Sequence, residues 1–564
     1  MQWTSLFWFL MALPVDSTFE CTEEAFQAIL PSNATVAFTR TLAENSTFEV
    51  PIEDIAYPIS PTQLRALCAV QVNVTSSPTS AFSFGLFLPD DWNSRFLVVG
   101  NGGFSGGINW LDMGAGLEYG FAVMSTDTGH NASGGDITWA LNLPEKKIDF
   151  GYRAMHGSTV LAKHIVEAYY ATVPKYNYFS GCSTGGRQGL KEVEMFPDDF
   201  DGVLAGAPAW WTSHLQPWTV KLGLLNLPLD APHHIPPILF PIIGDEVLKQ
   251  CDHQDGVLDQ IISDPRGCEF NAEALLCESD VVDQLTDRCL TASQIETVKK
   301  IYNDYVEVDE TFVFPRLELG SEEHWDFGLG RDQPSKLGTE YVKYFLLDDP
   351  DWDFYDYGHE IVEMADKLQP GNATVVNFDF SPFQKKGGKL LQYHGMSDAL
   401  IPTGSSVYLY EQVLAMMKPK GIPLDDWFRF FLVPGGLHCS GSPANMNAPW
   451  YFAGANQAGD LGQSPGTVSG ARSLRNANHD ALLALMAWTE NGTAPDHIIA
   501  TKWNDDATMD RISRQRPLCP YPQFAILKGG SSDPNDPSAW SCTTSDERGR
   551  LRVQSNSAGP HRIL

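Results

Sequence analysis

Phe96-Leu97-Val98-Val99 is an uninterrupted apolar run that ends in Gly100-Asn101-Gly102-Gly103, and Phe121-Ala122-Val123-Met124 repeats the pattern ahead of Asp127-Thr128-Gly129-His130. Short apolar runs closed by turn residues predict strands buried on both faces. Between Gly157 and Tyr170 the apolar positions Val160, Leu161, Ile165, Val166 and Tyr169 recur at helical spacing. That helix leads into a further strand at Tyr178-Phe179, which passes through Gly181-Cys182-Ser183-Thr184-Gly185 into a segment that can be helical as far as Met195. Ahead of Ser94 the chain mixes short alternating runs with turn residues, which reads as strands and loops. Strands alternating with helices predict an α/β fold, with a mostly parallel sheet covered on both faces.

The alternation lapses after Trp210. From there to about Gly388 come prolines, acidic turns and four closely spaced cysteines, with no repeated strand–helix unit. Lys389-Leu390-Leu391-Gln392-Tyr393-His394-Gly395 resumes a strand, Phe428–Val433 gives another, and Asp480–Glu490 predicts a helix ended by Asn491-Gly492. The organisation expected is a signal segment over 1–17, a core over 18–207 and an inserted lid over 208–388. The core then resumes over 389–542, and a polar tail without packed structure follows over 543–564. An insertion placed there can cover the ligand crevice, which in open α/β sheets lies beyond the strands' C-terminal ends.

Composition narrows the setting. A net charge of −32 over 564 residues excludes a nucleic-acid or anionic-membrane partner that needs a basic face. The apolar stretch Ser5–Val15, followed by Val15-Asp16-Ser17, reads as a secretory signal, although it lacks a leading Lys or Arg. No other run is long and apolar enough to span a bilayer. Ten cysteines suit an oxidising compartment. Sequons begin at Asn33, Asn45, Asn73, Asn131, Asn372 and Asn491, as expected of a secreted glycoprotein.

The Gly-x-Ser-x-Gly run sits where a strand turns into a helix, the context that holds a serine hydroxyl at the top of a sheet. A serine needs a base, and the base needs a group that fixes its tautomer; in this fold they follow in the order Ser, Asp, His. Asp398 lies in the loop after one later strand and His438 in the loop after the next. Ser183, Asp398 and His438 are therefore the candidate triad. Cys182 immediately precedes the serine and Cys439 immediately follows the histidine. A disulfide between them confines the two catalytic Cα atoms to within about 14 Å. For the oxyanion, the Thr184 N–H is one candidate donor, and the Gly102-Gly103 loop supplies the other, taken as Gly103.

Cys-Ser … Asp … His-Cys, carried by Gly181-Cys182-Ser183-Thr184-Gly185-Gly186-Arg187-Gln188-Gly189, His394-Gly395-x-x-Asp398 and Gly436-x-His438-Cys439, resembles the fungal and bacterial tannase/feruloyl esterase family. That family also includes an enzyme that hydrolyses a terephthalate monoester. The resemblance covers nearly the whole mature chain. It implies an α/β-hydrolase core with a large inserted lid, acting on esters of phenolic acids, with Ser183 as nucleophile, His438 as base and then acid, and Asp398 as the orienting carboxylate.

Cys251-Asp252-His253-Gln254-Asp255-Gly256-Val257-Leu258-Asp259-Gln260-Ile261 gathers three carboxylates around a glycine. By itself this is a solvated acidic turn or a Ca²⁺ loop, and its spacing is not that of an EF-hand. The resemblance assigns it to a structural Ca²⁺ site in the lid, held by the side chains of Asp252, Asp255 and Asp259 and the carbonyls of Val257 and Ile261. Neighbouring cysteines suggest the clips Cys251–Cys268 and Cys277–Cys289, with Cys21–Cys68 and Cys519–Cys542 completing the set. Spacing alone does not fix that connectivity.

The function expected is a secreted serine esterase that releases ferulic or related hydroxycinnamic acids from plant cell-wall esters, acting on a small phenolic ester or an esterified polysaccharide. A tannase cleaving galloyl esters, or an esterase for another phenolic ester, is the alternative within the same chemistry. A serine peptidase and a catalytically silent glycan-binding protein are the readings from other classes. Trp210 and Trp211, at the junction of core and lid, serve either packing or the acyl pocket, and packing is the simpler role. The sequence leaves a homo-oligomeric state open.

Overall fold

The computed structural model describes residues 19–277, 288–307, 310–455, 457, 474–529 and 533–544. The signal segment expected over 1–17 and the tail beyond 544 lie outside the described residues. Nine strands make one sheet: β1 (Ala34–Leu42), β2 (Leu67–Ser77), β3 (Ser80–Pro89), β4 (Arg95–Val99), β5 (Ala122–Thr126), β6 (Tyr176–Cys182), β7 (Gly202–Gly206), β8 (Lys389–Gly395) and β9 (Phe428–Val433). Their order across the sheet is β1-β2-β3-β5-β4-β6-β7-β8-β9. From β5 to β9 every pairing is parallel, and β1, β2 and β3 add an antiparallel edge.

Both faces of the sheet are covered, which is why its central strands are continuous apolar runs. Side chains alternate between faces along a strand. Val98, Met124, Phe179, Val203, Leu390 and Phe430 pack on one side; Leu97, Val123, Tyr178, Leu204, Leu391 and Phe431 pack on the other. Of the flanking helices α1 (Trp110–Leu117), α2 (Ala154–Tyr170), α3 (Thr184–Met195), α4 (Gly404–Met417) and α5 (Ala481–Asn491), α2, α3 and α4 bury their apolar stripes against the first face. The other two cover the second face. α2 begins three residues ahead of the periodic stretch, because Ala154 and Met155 are themselves buried there. α5 has the expected ends: the Asp480 carboxylate accepts the Leu483 N–H at its start (2.9 Å), and Gly492 takes φ 72° after its last turn.

The chain leaves the sheet after β7 and returns at β8. The stretch between holds short helices, among them Thr212–Leu224, Phe240–Cys251 and Ala292–Ile301, and a small hairpin, Tyr305–Val306 with Phe312–Phe314. Trp210 and Trp211 stack on each other at 5.0 Å where this insertion departs, with Tyr408 of α4 stacked on Trp211 at 5.0 Å. Both tryptophans are buried, and Trp210 Nε1 donates to the Ser405 carbonyl (3.1 Å), so they join insertion to core by packing. Arg187 of α3 adds a polar tie. Its buried guanidinium donates to the carbonyls of Phe150 (3.1 Å) and Gly151 (2.7 Å), and to that of Ala373 in the insertion (3.4 Å).

After α5 the hairpins Ile498–Trp503 with Ile512–Leu518 and Phe524–Leu527 with Trp540–Thr543 complete the described chain. All ten cysteines are paired, as Cys21–Cys68, Cys182–Cys439, Cys251–Cys268, Cys277–Cys289 and Cys519–Cys542. No described helix is long and apolar enough to cross a membrane.

Candidate active site

Ser183 follows the last residue of β6 and precedes the first residue of α3, at φ 62° and ψ −123°. Few non-glycine residues adopt that conformation, and it persists only where neighbours enforce it. Here the Ser183 N–H donates to the Gly206 carbonyl (3.0 Å), while the Ser183 carbonyl accepts the N–H groups of Ala209 and Arg187 (3.0 Å each). Glycine is required around the turn. A Cβ on Gly181 would come within 2.7 Å of the Gly185 backbone, and one on Gly186 within 2.4 Å of the Gly206 carbonyl oxygen.

Asp398 lies three residues beyond β8, and His438 five beyond β9. Because β6, β7, β8 and β9 are parallel neighbours, the loops holding Ser183, Asp398 and His438 all emerge at the same end of the sheet. Asp398 is fully buried, and its Oδ2 lies 2.7 Å from His438 Nδ1. Since the carboxylate only accepts, Nδ1 carries the proton and Nε2 is left as the base. Asp398 Oδ1 accepts the N–H groups of Leu400 (2.8 Å) and Ile401 (3.0 Å). Burial alone would raise the Asp398 pKa, but the charge of His438 and hydrogen bonds from His394 and His438 outweigh it and hold the carboxyl well below the usual range.

His394 had no assigned role in the sequence. Its Nε2 lies 3.0 Å from Asp398 Oδ2, so two imidazoles meet one carboxylate oxygen. Its sequence signals were its place at the end of a strand and its position in the motif His394-Gly395-x-x-Asp398.

The Cys182–Cys439 disulfide, with its Cα atoms 5.9 Å apart, spans the serine and histidine loops. One residue step on either side limits the Ser183–His438 Cα separation to about 13.5 Å. Across the elbow, Thr184 Oγ1 donates to the Gly103 carbonyl (2.7 Å), which brings the glycine loop against the start of α3. The Gly102 N–H is already committed to the Tyr57 hydroxyl (2.8 Å), a partner the sequence did not reveal. Gly103 stands at φ 54°, where an added Cβ would also meet the Gly134 carbonyl at 2.9 Å. Thr184 opens the helix, where N–H groups lack intrahelical acceptors and the helix dipole favours a developing negative charge. Of the two glycine amides, that of Gly103 has no hydrogen-bond partner among the described residues.

The acidic loop of the insertion wraps around Asp252, whose carboxylate accepts the N–H groups of Asp259 (3.2 Å), Gln260 (3.0 Å) and Ile261 (3.3 Å). Asp259 Oδ2 pairs with Arg516 (2.6 Å), but its Oδ1 is buried with no partner. Among the described residues no hydrogen bond reaches the carbonyls of Val257 or Ile261. Burial, with a contribution from Asp259, raises the Asp255 pKa despite hydrogen bonds from Ser263 and Val257. An orphaned carboxylate oxygen, two uncommitted carbonyls and a carboxyl held up by its surroundings form a donor set that fits a hard cation. His156, Glu192 and Asp199 also bring ligand atoms within 4.8 Å of one another. There the Lys163 ammonium already lies 3.7 Å from Asp199 Oδ1, so that cluster holds its own cation.

A serine on a strand–helix elbow, followed in chain order by a buried aspartate bonded to a histidine, at the C-terminal end of a mostly parallel sheet, defines an α/β-hydrolase. The sequence model described as "Tannase and feruloyl esterase" matches residues 68–313 and 347–542. A probable feruloyl esterase B-1 from Aspergillus oryzae is 34% identical over 481 residues, covering 85% of this chain and 84% of its own. The crystal structure of feruloyl esterase B from Aspergillus oryzae superposes with a TM-score of 0.83 at 32% identity, over 93% of this chain and 99% of that one. A tannin acyl hydrolase from Aspergillus niger shares the fold, with a TM-score of 0.71 at 22% identity over 96% of this chain and 98% of that one. The chain belongs to the tannase and feruloyl esterase family and is a carboxylic ester hydrolase.

Proposed function

We propose that this chain is a secreted serine esterase that releases ferulic or related hydroxycinnamic acids from plant cell-wall esters. The observation that carries the mechanism is the 2.7 Å contact between Asp398 and His438, on the loops beside the strained Ser183 elbow. Ser183 Oγ attacks the ester carbonyl as His438 Nε2 takes its proton, and the oxyanion is met by the N–H groups of Thr184 and Gly103. The imidazolium then protonates the departing alcohol. A water activated by the same nitrogen hydrolyses the acyl-enzyme and frees the acid.

The hydroxycinnamoyl reading is favoured over the galloyl one because relatives at 34% and 32% identity carry the feruloyl esterase name, whereas the tannin acyl hydrolase stands at 22%. Five disulfides support an oxidising, extracellular setting. The lid loop is read as a Ca²⁺ site held by Asp252, Asp255, Asp259 and the carbonyls of Val257 and Ile261. Its role is structural, tying the insertion to the C-terminal hairpin through Asp259 and Arg516. Turnover of methyl ferulate, methyl caffeate, methyl sinapate and methyl gallate tests the acyl preference. A kcat/KM highest for methyl gallate would move the enzyme to the tannase reading.

A further inference from the structure

We infer that His394 is a positioning residue for acyl transfer, holding Asp398 Oδ2 against His438 with its Nε2–H. The inference rests on the triad reading above. His394 is the penultimate residue of β8 and is fully buried. Its Nε2 lies 2.9 Å from the Ile401 carbonyl as well as 3.0 Å from Asp398 Oδ2. Both neighbours only accept, so Nε2 must carry a proton. Nδ1 lies 2.7 Å from Ser406 Oγ, whose hydroxyl can donate to it. Both ring nitrogens are thereby engaged.

The consequence falls on Asp398. Its Oδ1 is held by two backbone amides and its Oδ2 by two imidazole N–H groups, so the carboxylate has one orientation and four donors. The titratable groups acting most strongly on it are His438 and His394. His394 Nε2–H donates to the same oxygen that receives His438 Nδ1–H, so the two imidazoles share its negative charge. Removing that donor leaves more negative charge for His438 alone. The His438 imidazolium is then stabilised, and the acid limb of the rate profile moves to higher pH.

The test compares the full-length wild type with His394→Phe, which removes both nitrogens, and His394→Gln, whose amide keeps an N–H near the Nε2 position. Methyl ferulate and p-nitrophenyl acetate are both assayed across pH, with thermal melting as the check on folding. The His394→Phe variant is expected to lose about tenfold in kcat, the scale of one hydrogen bond to a charged group, with KM within about twofold. Its acid limb should rise by up to about one pH unit, and His394→Gln should recover most of both changes. Should His394→Phe not fold, His394→Met takes its place. Unchanged kcat and acid limb in the apolar variant would overturn the inference. So would equal losses in both variants with the acid limb unmoved, which is the signature of a purely structural histidine. Absent wild-type turnover of both esters would refute the esterase reading itself, while turnover of p-nitrophenyl acetate alone would refute only the acyl assignment.

Discussion

Cys182 and Cys439 are bonded to each other, and each is the immediate chain neighbour of a residue of the candidate triad, Ser183 on one side and His438 on the other. The bond closes a loop of 257 residues that contains the whole insertion. Cross-linking so long a loop lies at the upper end of what a disulfide contributes, about 5 kcal/mol in the chain-entropy description. The same bond ties the Ser183 loop to the His438 loop across the insertion.

Replacing both cysteines by alanine should therefore lower the melting temperature and reduce kcat together. A double variant that melts and turns over like the wild type would separate the disulfide from both roles.

Asp480 links stability to pH. It caps α5 and receives the Tyr119 hydroxyl (2.7 Å), but burial outweighs these donors and raises its pKa to about 6. In the unfolded chain it ionises near 3.9. Between those values the folded state keeps a proton that the unfolded state has released, so stability falls as pH rises through that window and then levels off. The contribution is about 3 kcal/mol. Asparagine keeps the cap and does not titrate. Melting curves at pH 4 and pH 7 should differ less for Asp480→Asn than for the wild type; equal differences would contradict the assignment.

Much of the core was legible because it is written locally. Phe96–Val99 and Phe121–Met124 are strands since a sheet covered on both faces needs uninterrupted apolar runs, and the glycines around Ser183 mark the one turn that admits its backbone. Contacts between distant segments leave no such trace. Arg514 and Arg516 reach Asp259 across more than 250 residues. Tyr57 takes the Gly102 amide from 45 residues away, whereas His394 and Asp398 are only four residues apart and meet through the turn of the loop beyond β8. The antiparallel edge β1–β3 was blurred because its strands alternate buried and exposed positions unevenly and register shifts interrupt their pairing.

The lid loop offers a metal-dependent measurement. With Asp259 Oδ1 buried and unpartnered and the Asp255 carboxyl held up by burial, a bound Ca²⁺ would relieve both. Chelation should lower the melting temperature, and added Ca²⁺ should restore it. The effect should be absent in Asp255→Asn. A melting temperature indifferent to chelator would leave the loop as an acidic turn held by Arg514 and Arg516.

The most direct measurement is the mass of the enzyme quenched in acid during turnover of methyl ferulate, followed by digestion. One feruloyl group should be found on the peptide that carries Ser183, and Ser183→Ala should show neither the adduct nor hydrolysis above about 10⁻³ of wild type. A feruloyl group on another residue, or a Ser183→Ala variant that still turns over, would contradict the assignment of this chain as a Ser183–His438–Asp398 esterase.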